Sequence, residues 1–433
     1  MTCHHINAKA LAASGLALFA AVQSSVMAQS PEPRLDTSQL YADVHFHASN
    51  YAMQGISLKE YAERYMSANR QQIVRSTIMP IPLQQRWDGF EQYQAQSGDQ
   101  MYGPNYYIGP KADLYYYSFV DAMFAREYER LPPQYQEKLD VMITAFNPMD
   151  VYASQHIKRA VLSFPGVFAG VGEFTIHKEL VSSKLAGETV EQTKAPSVPL
   201  PPDAGDGSKV SLYSESLEYL FKTIEEIGLV AILHNDMYRV EVNYQGELEH
   251  SYPDQDYVDG LKHVCGHAPK AKVVWAHTGL GRFVKPTSDH IMRVKKVLDA
   301  CPSWSTDISW DLVQDYMLNP ELGMPSRQDW LNFFNEYQNR ILWGSDVVIF
   351  TRNRFESAPP TSVTPGGLME PAQYHADLSK MREFLDELPV AIGNKIRYEN
   401  YLGLFNRAKF SVRAWERENA DLNIWDIPTP VRP

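Results

Sequence analysis

Cysteine is nearly absent, with three in 433 residues. Cys3 falls in a segment expected to be removed, which leaves Cys265 and Cys301. Two cysteines are too few for a disulfide scaffold or a cysteine-based zinc site. Each lies near the end of a helix-like segment that precedes a strand. Adjacent helices could bring them together, and an oxidising compartment would permit a disulfide. Without a Cα separation the sequence leaves the matter open and leans towards two buried free thiols. After the N-terminal segment no stretch has the ~18 consecutive apolar residues of a membrane span. Positive charge is in deficit: 40 Lys and Arg against 52 Asp and Glu give a formal net charge of -12. With no dense basic cluster, a nucleic-acid partner is not expected. No glycine-rich phosphate loop follows any strand-like run, which disfavours an open doubly wound sheet. There is no internal repeat and no clear interdomain linker.

The N-terminus reads as a targeting segment. Lys9 gives a basic start, "ALAASGLALFAAV" is a short apolar core, and "VMA" ending at Ala28 fits a signal-peptidase site. A signal peptide over 1–28, a mature chain from about Gln29, and a periplasmic or secreted destination are therefore expected. With 44% apolar residues, the remainder has enough for a substantial core.

From Leu40 onward, strand-like and helix-like runs alternate. Apolar runs bounded by Gly, Pro, Asn or Asp fall at 41–47, 73–80, 140–146, 168–174, 229–235, 272–278, 304–309 and 341–347. They read as buried parallel strands. "SLKEYAERYMSANRQQ" opens with a Ser57–Glu60 capping box. "SLEYLFKTIEEIG" ends on Gly228 as a helix C-cap. "SDHIMRVKKVLDAC" and "RQDWLNFFNEYQNR" have helical apolar spacing. The expected fold is a distorted α/β barrel of the (β/α)8 TIM type. Long insertions are expected after strands 2 and 4, at about 82–138 and 178–212, on the face where such barrels place their active sites.

Five of these runs end in metal-ligand side chains: "DVHFH" (His45, His47), "GVGEF" (Glu173), "LHND" (His234), "WAHTGLGR" (His277) and "WGSD" (Asp346). Alternation along a strand puts His45 and His47 on one face. The same logic groups Ala169, Val171 and Glu173; Val230, Ile232 and His234; Val273, Trp275 and His277; and Leu342, Gly344 and Asp346. Asp43 shares the phase of His45 and is either an orienting carboxylate or an ordinary strand-start residue. Taken singly, each has a plainer reading: a surface histidine pair, a salt-bridged glutamate, a core histidine, a capping aspartate. All five in order outweigh those readings, because buried ionisable groups at strand ends need the compensation a metal provides. His177 is a candidate substrate contact or a loop residue. His156, His263, His267 and His290 fall in helical or connecting segments and carry no expected role.

With "NYLGLF" near the C-terminus, these strings resemble the amidohydrolase superfamily, in its amidohydrolase-related branch. The resemblance implies metal binding by His45, His47 and Asp346, and metal binding or substrate polarisation by His234 and His277. It implies a metal contact or a bridge between two metals at Glu173, where some members carry a modified lysine. One or two divalent ions are expected, with zinc favoured. A metal lowers the pKa of its water to about 7, and Asp346 would take the proton and pass it to the leaving group.

The reaction expected is hydrolysis of an amide, ester or lactone bond in a small molecule. A nonoxidative decarboxylase of an aromatic or unsaturated acid is the alternative, and would need a basic residue over the metal. A non-catalytic metal-binding protein is the third reading. The tyrosine-rich insertion, with Tyr102, Tyr106, Tyr107, Tyr115, Tyr116 and Tyr117, would line a lid, pack on the barrel or form a subunit interface in a homo-oligomer. Lys111, Arg352 and Arg354 are candidate carboxylate contacts or solvated surface charges.

Overall fold

Eight parallel strands follow one another around one sheet in chain order: β1 (Leu40–Asp43), β2 (Gln71–Ile78), β3 (Leu139–Ile143), β4 (Phe168–Thr175), β5 (Val230–His234), β6 (Lys272–Trp275), β7 (Trp304–Asp307) and β8 (Ile341–Leu342). The structure is a computed structural model that describes residues 37–49, 55–68, 71–81, 83–85, 114–116, 118–178, 181–187, 199, 201–203, 209–242, 248–349 and 371–428. The seam between β8 and β1 closes just past their ends. The Val44 N–H donates to the Trp343 carbonyl at 3.2 Å, and Phe46–His47 pairs in parallel with Val347–Val348. The result is a distorted (β/α)8 barrel. Residues from Thr37 onward form one compact unit.

The strand interiors divide into two cores. Ala42, Val44, Met142, Ala169, Val230, Ile232, Val274 and Leu342 form a cluster inside the barrel. Its floor is made by Tyr401, Leu404, Phe405 and Ala408. These four come from α5 (Asn400–Glu418), the last of the helices α1 (Glu215–Ile227), α2 (Val258–His267), α3 (His290–Ala300), α4 (Arg327–Glu336) and α5. The larger cluster lies between the strands and the surrounding helices. In α1, Leu217, Leu220, Phe221, Ile224 and Ile227 form one buried stripe, and Gly228 closes the helix in the left-handed region at φ 83°.

A buried polar cluster ties α5 to the strands. Asp140 on β3 accepts hydrogen bonds from Arg75 Nε at 2.6 Å, Arg75 Nη2 at 2.8 Å and Tyr401 Oη at 2.8 Å. Lys409 Nζ lies 2.8 Å from Oδ1, the oxygen that Arg75 Nη2 also reaches. Burial pushes the Asp140 carboxyl up, but Lys409 and Arg75 outweigh it and hold the group below the ordinary carboxylate value. Burial also lowers Lys409, so Arg75 is the firmer partner.

Several expectations need correction. The helix opened by Ser57 ends at Tyr65, and Gln71 and Gln72 already belong to β2. Inward phase also differs. Val171, Val273 and Trp275 pack in the outer core, while Val274 and Ala276 face the barrel interior. Asp43 likewise alternates with the inward residues Ala42 and Val44. The insertion after strand 5 was not foreseen: Tyr238–Val242 and Leu248–Asp256 form an antiparallel hairpin. Cys265 and Cys301 are joined in a disulfide with Cα atoms 5.8 Å apart. The lean towards free thiols failed because sequence cannot show that the C-terminal ends of α2 and α3 meet. No helix among the described residues is long and apolar enough to cross a membrane.

Candidate metal centre

The strands stop short of the site, and the side chains at issue leave from irregular backbone. β1 ends at Asp43, whose Oδ1 accepts the His45 N–H at 3.0 Å. The same carboxylate accepts from the Ser345 N–H at 2.9 Å, the Ser345 hydroxyl at 2.6 Å and the Tyr374 hydroxyl at 2.7 Å. Asp43 thus clamps the β1 and β8 exits together and orients the backbone of His45. β6 ends at Trp275, and His277 follows at φ 56°. Asp346 follows β8 at φ 53°. Left-handed backbone at such residues costs about 1–3 kcal/mol each and is tolerated where surroundings enforce it. One such enforcement is the Asp346 N–H, which donates to the His45 carbonyl at 2.7 Å.

His45, His47, Glu173, His234, His277 and Asp346 meet at the barrel mouth. His47 Nε2 lies 3.1 Å from Asp346 Oδ1, and His45 Nε2 lies 3.5 Å from the same oxygen. Glu173 Oε2 stands 3.5 Å from His47 Nε2 and 3.7 Å from His45 Nε2. Its other oxygen faces His234 Nδ1 at 2.8 Å and His277 Nε2 at 3.8 Å. Asp346 Oδ2 is 3.6 Å from His277 Nε2. Two overlapping groups could hold a divalent ion: His45 with His47 and Asp346, and His45 with Glu173 and His277. His234 presents one ring nitrogen to Glu173 and the other to Asp236 Oδ1 at 3.2 Å.

The donor set fits a metal. His45 Nε2 is buried with no hydrogen-bond partner. A tetrahedral ion with bonds of about 2.1 Å sets its donors about 3.4 Å apart, close to the separations above. The charge balance agrees. Burial alone would keep His45 neutral, but Asp346, Asp307 and Glu173 outweigh it and hold the imidazole well above its usual range. Asp346 is penalised by burial yet drawn down to about 2 by His45, His47 and His277. Glu173, also penalised by burial, is drawn well below the usual range by the hydrogen bond with His234 and by the nearby His277 and His45 imidazoles. Burial lowers His277. Such a concentration of carboxylate charge attracts positive charge of any kind.

Sequence reasoning missed Asp307 and Ser309 on the β7 exit. Asp307 Oδ2 lies 3.1 Å from His45 Nδ1, and Oδ1 accepts the His277 N–H at 2.8 Å. Ser309 Oγ donates to Asp307 Oδ1 at 2.6 Å and lies 2.8 Å from His277 Nδ1. These contacts place the ring hydrogens of both histidines outward and leave both Nε2 atoms facing the centre. The missed signal was a strand ending in "STDIS" with a carboxylate at the ligand level.

Other expected residues fall elsewhere. His177 is buried, stacked on Tyr257 at 4.1 Å between ring centroids, with Nε2 3.4 Å from Asp203. Lys178 is also buried, its ammonium 5.6 Å from the Trp310 ring centroid. That ring lies 5.5 Å from His277, and the Lys178 charge is felt at His234. Tyr115 and Tyr116 belong to Leu114–Tyr116, which pairs antiparallel with Leu83–Gln85. Tyr102, Tyr106, Tyr107, Lys111, Tyr117, Arg352, Arg354 and the N-terminal segment lie outside the described residues.

No protein-family model and no curated protein matches the chain. Solved structures do. Dihydroorotase from Saccharomyces cerevisiae is 12% identical, with 85% of this chain and 84% of that one covered and a TM-score of 0.41. A putative amidohydrolase from Staphylococcus aureus is 14% identical, with 85% and 99% covered and a TM-score of 0.43. An amidohydrolase from Burkholderia multivorans with bound zinc is 10% identical, with 85% and 99% covered and a TM-score of 0.40.

Proposed function

We propose that the chain is an exported, metal-dependent hydrolase of the amidohydrolase type that cleaves an amide, ester or lactone bond of a small molecule. The observation that carries this reading is the pair of overlapping ligand groups sharing His45, with one Glu173 oxygen directed at each. His45, His47 and Asp346 would hold one divalent ion. Glu173 and His277 offer ligands to a second, and His234 supports Glu173. Zinc suits this mixture of imidazole and carboxylate. When bound, the ion supplies Lewis acidity and makes a coordinated water more acidic.

The chain's own groups do the rest. Asp346 accepts a proton at its carboxylate and returns it to the leaving group. His277 contributes a ring nitrogen fixed by Ser309. Asp307 keeps the His45 imidazole oriented, and Asp43 holds the His45 backbone.

A nonoxidative decarboxylase is favoured by one observation, the buried Lys178 near His234 and Trp310. Its ammonium would hold a substrate carboxylate at the rim. The test is a product assay on zinc-loaded protein with amides, esters, lactones and aromatic acids. Hydrolysis products lost in folded Asp346→Asn support the hydrolase. Carbon dioxide release lost in Lys178→Gln selects the decarboxylase. Turnover within a few-fold of wild type in Asp346→Asn rejects its role as proton carrier.

A further inference from the structure

Among the described residues, a second group of metal-ligand side chains lies away from the barrel mouth, where α1 and α2 run side by side. His263 and His267 are four residues apart on α2 and so share a face. Glu218 of α1 reaches across to both. Its Oε1 is 4.0 Å from His263 Nε2, and its Oε2 is 3.5 Å from His267 Nδ1. The three ligand atoms lie within 4.8 Å of one another. His263 Nε2 is buried, with no hydrogen-bond partner. The Tyr213 ring packs against the His263 ring, with centroids 4.5 Å apart. The competing cation is Lys222, 3.9 Å from Glu218 on a side chain that is 47% exposed. It has little to lose by giving way.

We propose that Glu218, His263 and His267 form a second metal site, a clamp between α1 and α2 for a borderline divalent ion such as zinc. Two imidazoles and one carboxylate are a zinc donor set, with a position left for water. Donors in a tetrahedral zinc site stand about 3.4 Å apart, against 3.5 and 4.0 Å from Glu218 to the two imidazoles. The platform is already stiff, because the disulfide from Cys265 joins α2 to Cys301 at the end of α3. A metal across α1 and α2 extends that cross-link to a third helix. The site is independent of the barrel chemistry.

The test is a zinc titration of chelator-stripped full-length protein in the His45→Ala/His47→Ala background, where the barrel mouth has lost two ligands. This background should still bind zinc and gain thermal stability from it. Adding His263→Ala or His267→Gln should remove that binding and the accompanying rise in Tm. Unchanged zinc affinity in folded protein carrying either added substitution would overturn the site. No zinc binding in the His45→Ala/His47→Ala protein would overturn it as well. In otherwise wild-type protein, His263→Ala should leave turnover unchanged, which separates this site from the proposed hydrolase.

Discussion

His45 Nδ1 lies 3.1 Å from Asp307 Oδ2, and the other oxygen of that carboxylate accepts the backbone N–H of His277. One buried side chain on the β7 exit therefore sets the His45 imidazole directly, and the His277 ring through its backbone and Ser309. Replacing Asp307 should free both rings. For Asp307→Asn we predict metal affinity lower by about 10- to 100-fold, the cost typical of losing a partner behind a metal ligand. Zinc competition against a chromophoric chelator measures this directly.

Gly344 is the close approach that lets β8 pass behind His45. A Cβ there would sit 2.9 Å from His45 Cβ and 3.0 Å from Ser309 Cβ. Gly344→Ala should displace His45 while leaving most of the outer core intact. We predict turnover reduced by about 100-fold, as for an ångström-scale misplacement of a reacting group, with a much smaller change in Tm. Kinetics and thermal melts on the same sample check the pairing.

The barrel and the candidate ligand residues were legible in the sequence for different reasons. Eight apolar runs with helices between them gave the strand order, because burial on both faces demands such runs. The candidate ligands stood out by residue type at the ends of those runs. The alternation used to align them holds for Val230, Ile232 and His234, on a regular strand. It fails at His277, which turns inward from positive-φ backbone although Val273 and Trp275 face the outer core. It also fails at Asp43, which serves Ser345 and Tyr374. Period-two reasoning assumes extended chain and cannot anticipate such turns. Asp307 was missed because its contacts are with His45, the His277 backbone and Ser309, which sequence does not bring together. The Tyr238–Asp256 hairpin was missed although Tyr238, Val240 and Val242 alternate cleanly towards the core.

The disulfide closes a loop with a sequence separation of 36. Loop-closure entropy for that length gives about 3–4 kcal/mol of stability. We predict that Cys265→Ser lowers the unfolding free energy by that order, measured by urea titration. Wild-type protein titrated with a reductant present should fall to match it.

Asp140 gives a pH dependence with a definite sign. Lys409 and Arg75 hold its folded pKa below the unfolded value of about 3.9. Its stabilising contribution is therefore complete above that value and is lost as pH falls through the lower folded one. Removing one partner of a buried ion pair costs about 3–5 kcal/mol. Asp140→Asn should show that deficit at neutral pH, and the gap to wild type should narrow only below about pH 4. Urea unfolding of both proteins across pH reads the two curves.

The most direct test of the barrel centre is the metal content of dialysed protein, compared between wild type and His45→Ala/His47→Ala by elemental mass spectrometry. We predict that the variant, folded by circular dichroism, loses at least one equivalent of divalent metal that wild type retains. Equal metal content in the two proteins would contradict the assignment of His45 and His47 as ligands.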